Sequence, residues 1–242
     1  ELFDAISAEA VRRGLGGFTA QALSKTAWEF AIAGHASPEL FEAISVAAAR
    51  QRLGGFDEHD LAVTAWAFAT AGHAPPELFD AISAEAVRRR LGDFLTKNLS
   101  NAAWAFATAG RNDPELFEAI SAEVLHRPFD TFSAQSLSNM AWAFATAGHE
   151  APELFDAISA EAVRRRLDGF NPQNLANTAW AFATLGRADL ELLNAISAEA
   201  VHRGLVGFNE QNLSNTVWAC ATARYASPEL FNAISAEAVR RG

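Results

Sequence analysis

Hydrophobic residues in this chain fall at helical spacing, and the pattern returns every 38 residues. Trp28, Trp66, Trp104, Trp142, Trp180 and Trp218 keep that period without insertion or deletion. Each period holds two amphipathic patterns. In the first, helix A, Leu2, Phe3, Ile6 and Ala10 share one face. Its start is marked by Ser37-Pro38, Asp113-Pro114 and Ser227-Pro228, a capping residue before a proline at the first helical position. Acidic Glu77 and Asp80 open one copy and Arg88, Arg89 and Arg90 close it, as the helix dipole favours. Pro128 predicts an early end for the helix A before it.

A short turn such as Leu53 to Phe56 leads into helix B. Thr19, Asp57, Ser133, Asn171 and Asn209 stand at its N-cap, with Leu95 out of line, and Pro172 takes a first helical position. Leu175, Ala179, Phe182 and Ala183 form the apolar face with Trp180 beside it, so the Trp and Phe columns are expected in the core. Gly34, Gly72, Gly110, Gly148 and Gly186 predict left-handed helix ends, whereas Arg224 predicts a weaker one.

One such hairpin cannot bury its apolar faces alone, but stacked copies can. The expected fold is therefore all-α: an α-solenoid of stacked antiparallel helical hairpins in a single array over residues 1–242. Repeats begin at Glu1, Glu39, Glu77, Glu115, Glu153 and Glu191, with a partial one from Glu229. No polar capping repeat stands at either end, so the array is expected to be a segment of a longer protein.

Composition adds few constraints. Half the residues are hydrophobic, enough for a large core. The one cysteine, Cys220, stands where other repeats have Phe and reads as a small buried hydrophobe. No membrane-spanning run is present, and His35, His73 and His149 each lack a second ligand at metal spacing. No phosphate loop, nucleophile motif or acid–base constellation appears, so neither a cofactor nor an enzymatic activity is expected.

Candidate chemistry lies on helix B, where Gln173, Asn174, Asn177, Ala181 and Thr184 form a small, uncharged stripe expected on the concave side. The copies vary: Asn174, Asn177 and Thr178 correspond to Asn212, Asn215 and Thr216, to Ser136 and Asn139, to Asn98 and Asn101, to Asp60, and to Lys25. Such groups can read the edges of unstacked bases, one nucleotide per repeat. They can equally serve helix starts and bonds between repeats. Beside them runs an arginine row at the ends of the A helices: Arg12, Arg13, Arg50, Arg52, Arg88, Arg89, Arg90, Arg127, Arg164, Arg165, Arg166 and Arg203. Although the net charge is −10, this edge could follow a phosphate backbone. Capping and pairing with Glu85 or Glu161 account for part of the row.

The run Gln173-Asn174-Leu175-Ala176-Asn177-Thr178-Ala179-Trp180-Ala181-Phe182-Ala183, with its copies at Gln135 to Ala145 and Gln211 to Ala221, resembles the octotricopeptide repeat family. That resemblance implies a single-stranded RNA-binding factor for chloroplast or mitochondrial transcripts, without a cofactor. Similar arrays also serve as protein-binding or architectural subunits of large organellar complexes, and that is the alternative the resemblance leaves open. The first two repeats depart from the motif at Lys25 and Val63.

Overall fold

A computed structural model describes residues 2–35 and 37–241. Glu1, where the first repeat begins, Ala36 and Gly242 lie outside the described residues. The described residues form thirteen α-helices and one short 3-10 turn, with no strand. The chain divides into two compact units, Glu1–Val124 and Leu125–Gly242.

In the first unit the A helices are α1 (Leu2–Arg13), α3 (Pro38–Arg50) and α5 (Pro76–Arg88), with α7 (Pro114–Leu125) at its end. Its B helices are α2 (Ala20–Ile32), α4 (Glu58–Thr70) and α6 (Thr96–Thr108). In the second unit, B helices α8 (Ala134–Ala147), α10 (Pro172–Thr184) and α12 (Glu210–Thr222) alternate with A helices α9 (Pro152–Arg164), α11 (Leu190–His202) and α13 (Pro228–Arg241). α7 stops before Pro128, and a 3-10 turn, Phe129–Thr131, carries the chain onward.

Within each unit, successive B helices pack closely side by side, while successive A helices touch less. Alanine makes the difference. Ala27, Ala65, Ala67, Ala103, Ala105, Ala141, Ala143, Ala179 and Ala181 have essentially no exposed surface, and they let backbones approach. The A helices leave clefts between them, one lined by Ala49, Leu53, Leu78, Ala81 and Arg88. The B layer is thus the tighter layer of each unit.

Between the layers lie the leucine and phenylalanine columns. Leu40, Phe41, Phe68, Phe79, Phe106, Phe144, Phe155 and Phe182 are buried, and pairs such as Phe41–Phe68 and Phe155–Phe182 meet edge to face at 5.0 and 4.9 Å. Cys220 occupies the same column, buried, and burial pushes its thiol pKa up.

Local signals resolve as follows. The five expected B caps each accept from the backbone N–H three residues on. Exposed Leu95 makes no side-chain cap. Ser37 is no cap either: its hydroxyl lies 3.2 Å from that of Ser7 on the preceding A helix. Asp113 and Asp189 do cap, and Asp189 also receives the hydroxyl of Ser159. The expected weak end at Arg224 is not weak. Arg224 adopts φ 52°, and Tyr225 N–H donates to Cys220 O at 2.8 Å, the closure seen at the glycine-ended helices.

Two staples tie the elements. Near helix B ends, His35 reaches Asp4 at 2.9 Å, and Arg111 and Arg187 pair with Asp80 and Asp156. Tyr225 donates to Asn194 at 3.1 Å at the same repeat position. The recurring His is thus one version of a polar clasp. At the other edge, Arg165, Arg203 and Arg241 donate to the carbonyls of Phe132, Phe170 and Phe208 in the previous repeat, at 2.7, 2.5 and 2.7 Å. Gln51 does the same to Phe18 O at 2.9 Å. Glu161 holds Arg165 and Arg164 together. Hydrogen bonds from Arg164, then from Arg165, outweigh burial and lower the Glu161 pKa from 4.5 to about 2. Glu161→Gln should therefore cost on the order of 1–2 kcal/mol near neutral pH. Because the folded pKa is depressed, the wild-type advantage is full above about pH 5 and fades as pH falls from 4.5 toward 2. Denaturant melts of both proteins across that range measure it, and a pH-independent difference would contradict it.

Candidate interaction surface of the B layer

The expected polar stripe separates into two sets of side chains. Asn174 is buried at 4% exposure, beside fully buried Ala181, so neither belongs to the exposed face. Asn174 completes a reciprocal cap with Asn171 and donates from Nδ2 to the Ser138 hydroxyl of the neighbouring B helix at 3.0 Å. Asn212 repeats the cap with Asn209. Asp60 caps with Asp57 and accepts from Ser24 at 2.5 Å. Ser136 takes part in the Ser133 cap, and Asn98 is also buried. Thr178 and Thr216 are interior, and Thr216 donates to its own helix at Asn212 O. Asn174 and Asp60 thus bond to the adjacent B helix.

The second set faces outward. Lys25 is exposed, and Asn101, Asn139, Asn177 and Asn215 are half-exposed. With them, against expectation, stand the tryptophans. Trp218 is 44% exposed, Trp28 36%, and the other four are half-exposed, while phenylalanines such as Phe68, Phe106, Phe144 and Phe182 of the same helices are buried in the core. In the first unit Trp66 and Trp104 lie 6.2 Å apart. In the second, Trp142, Trp180 and Trp218 form a ladder with ring centroids 6.5 and 6.3 Å apart, tilted by 32° and 34°. An indole cannot enter the close interface that alanine sets, so it lies over the layer. The actual exposed stripe of α10 is Gln173, Asn177, Trp180 and Thr184.

The arginine row divides by position. Arg12, Arg88 and Arg164 are exposed but hydrogen-bonded to Glu9, Glu85 and Glu161. Arg13 also bonds Glu9. Arg89, Arg165 and Arg203 are half-buried staples, and Arg127 is half-buried as well. Arg52, Arg90 and Arg166 are exposed in the left-handed region, with φ of 48°, 59° and 52°. Gly14 and Gly204 hold that position in two other repeats. Arg50 is exposed on the last turn of α3. Among the described residues, no helix is long and apolar enough to cross a membrane.

Two packed helical layers with a continuous hairpin repeat define an α-helical repeat protein. Its sequence matches the model of the RNA-editing substrate-binding complex 6 protein family over residues 14–241, and the chain belongs to that family. Among curated proteins, none matches its sequence. The octotricopeptide likeness thus resolves at the level of a helical-repeat family connected with RNA.

The two amide sets should respond differently to mutation. Asn174→Ala should lower stability by about 1–2 kcal/mol through loss of a cap and an inter-repeat bond. Asn177→Ala, half-exposed, should stay within about 0.5 kcal/mol. Paired thermal and denaturant melts separate them, and equal losses would contradict the division.

Proposed function

We propose that this chain is a non-catalytic scaffold subunit of an assembly that holds RNA-editing substrates. Its family supports that reading, and the fate of the buried amide set carries it. Side chains that would read bases at Asp60, Asn98, Asn174 and Asn212 are buried at 3–5%, and three of them complete helix caps. The acidic net charge of −10 also disfavours a long phosphate-tracking surface. The half-exposed amides and tryptophans of the B layer remain available to a protein neighbour. The resemblance to octotricopeptide repeats, together with an RNA-editing family, favours the mitochondrion as the place of action.

A second reading, single-stranded RNA binding, is favoured by Arg52, Arg90 and Arg166. Each is exposed and holds a left-handed conformation that sister repeats give to glycine. Backbone strain of this kind accumulates where a side chain is used. Lys25, Asn101, Asn139, Asn177 and Asn215 would then be the base-facing groups.

Tagged protein recovered from its native organelle should retain the other subunits of the assembly after ribonuclease treatment. Loss of all of them on digestion would mean that RNA is the link and would overturn the scaffold reading. Replacing Arg52, Arg90 and Arg166 by Gly should raise stability by about 1 kcal/mol per site. If RNA binds there, the same change lowers the log–log salt slope of RNA binding by roughly one per lost phosphate contact. An unchanged slope removes the second reading.

A further inference from the structure

We infer that the exposed B-layer face of the second unit takes an extended, basic polypeptide segment, one dipeptide per repeat; this deepens the scaffold reading and rests on it. The first support is a match of spacing. Trp142, Trp180 and Trp218 stand 6.5 and 6.3 Å apart. An extended chain advances about 3.2–3.4 Å per residue, so two residues cover about 6.4–6.8 Å. Alternate side chains of such a segment lie on one side, and every second one falls between successive indoles.

The second support is the amide row. Asn139, Asn177 and Asn215 each precede the ladder tryptophan by three residues, one helical turn away on the same face. A side-chain amide offers a carbonyl acceptor and N–H donors, and so can pair with both the N–H and the C=O of one residue of an extended strand. A strand lying along the row would thus bond through its backbone once per repeat. At Asn215 the carbonyl already accepts from Gln211 Nε2 at 2.7 Å, which leaves the Nδ2 donors and one Oδ1 lone pair for a strand.

The third is charge. α8, α10 and α12 contain no lysine or arginine, and their one charged residue is Glu210 at the start of α12. A polynucleotide would lay one negative charge per nucleotide on a face without a cation, in a protein of net charge −10. A lysine or arginine of a peptide would instead set its aliphatic stem between indoles and its charge near their faces. The face therefore favours a basic peptide over RNA.

The test uses the whole chain and two labelled peptides of about ten residues. One alternates lysine with threonine, and the other has the same composition in two blocks. Fluorescence anisotropy should show the alternating peptide binding at least about ten-fold tighter, since only alternation matches the two-residue period. The triple variant Asn139→Ala, Asn177→Ala, Asn215→Ala should weaken it by about ten-fold or more while circular dichroism shows an unchanged fold. Trp180→Phe, which keeps a flat ring, should weaken it less than Trp180→Ala. Equal affinity for both peptides would mean charge attraction alone and would overturn the inference. So would a single-stranded RNA oligonucleotide that binds more tightly and loses affinity on the same triple substitution. Absence of peptide binding while the ribonuclease-resistant assembly persists would remove this inference and leave the scaffold reading intact.

Discussion

The close approach of neighbouring B helices, backbone over alanine, is the constraint on which the rest of each unit depends. Alanine at positions such as Ala65, Ala105, Ala143 and Ala181 leaves no room for a larger side chain between these helices. A larger residue must go inward between the layers or outward over them. Phenylalanine goes inward and stacks edge to face with the A layer. Tryptophan goes outward. The tight layer also brings indoles and amides of successive repeats near enough to act as one surface, which the looser A layer does not do.

Polar groups are divided by the same geometry. Those beside the interface serve the array: Asn174 bonds Ser138, Asp60 accepts from Ser24, and Arg165 reaches the Phe132 carbonyl. Those about a sixth of a turn further round, such as Asn177 beside Asn174, face outward. The acidic composition is also partly consumed, since Glu9, Glu85, Glu161 and Glu237 each hold a pair of arginines. Much of the arginine row is thus structural, and those outside these pairs include exposed Arg50 and the left-handed set at Arg52, Arg90 and Arg166.

Most of the fold was legible in the sequence because its signals are local. Period, caps, Pro172 and the helix-ending glycines each act within a few residues. The tryptophans were misplaced because hydrophobicity was weighed above angle. At about 100° per residue, Trp180 lies roughly 140° from Leu175 and Asn177 about 200°, both on the side away from the core. Asn174, at about −100°, points along the layer toward its neighbour. The wheel therefore held the division between buried and exposed amides, while the partner of Asn174, Ser138, lies 36 positions away and depends on how repeats stack. Arg224 misled for a similar reason: the helix end is fixed by backbone bonds, and an arginine can adopt the conformation glycine prefers.

The repeats look interchangeable, and the contacts between them say otherwise. Ser24 faces Asp60 and Ser138 faces Asn174, but the residues equivalent to those serines are Ala62 and Ala176 in two other repeats. Likewise the carbonyl staple is Gln51 in one place and arginine in others. Within each unit a repeat is therefore matched to the one before it, as a word is inflected to agree with its neighbour. An array of near-copies of one hairpin thus has a grammar, and shuffling or deleting repeats would leave hydroxyls and amides facing the wrong partners even where every helix survived.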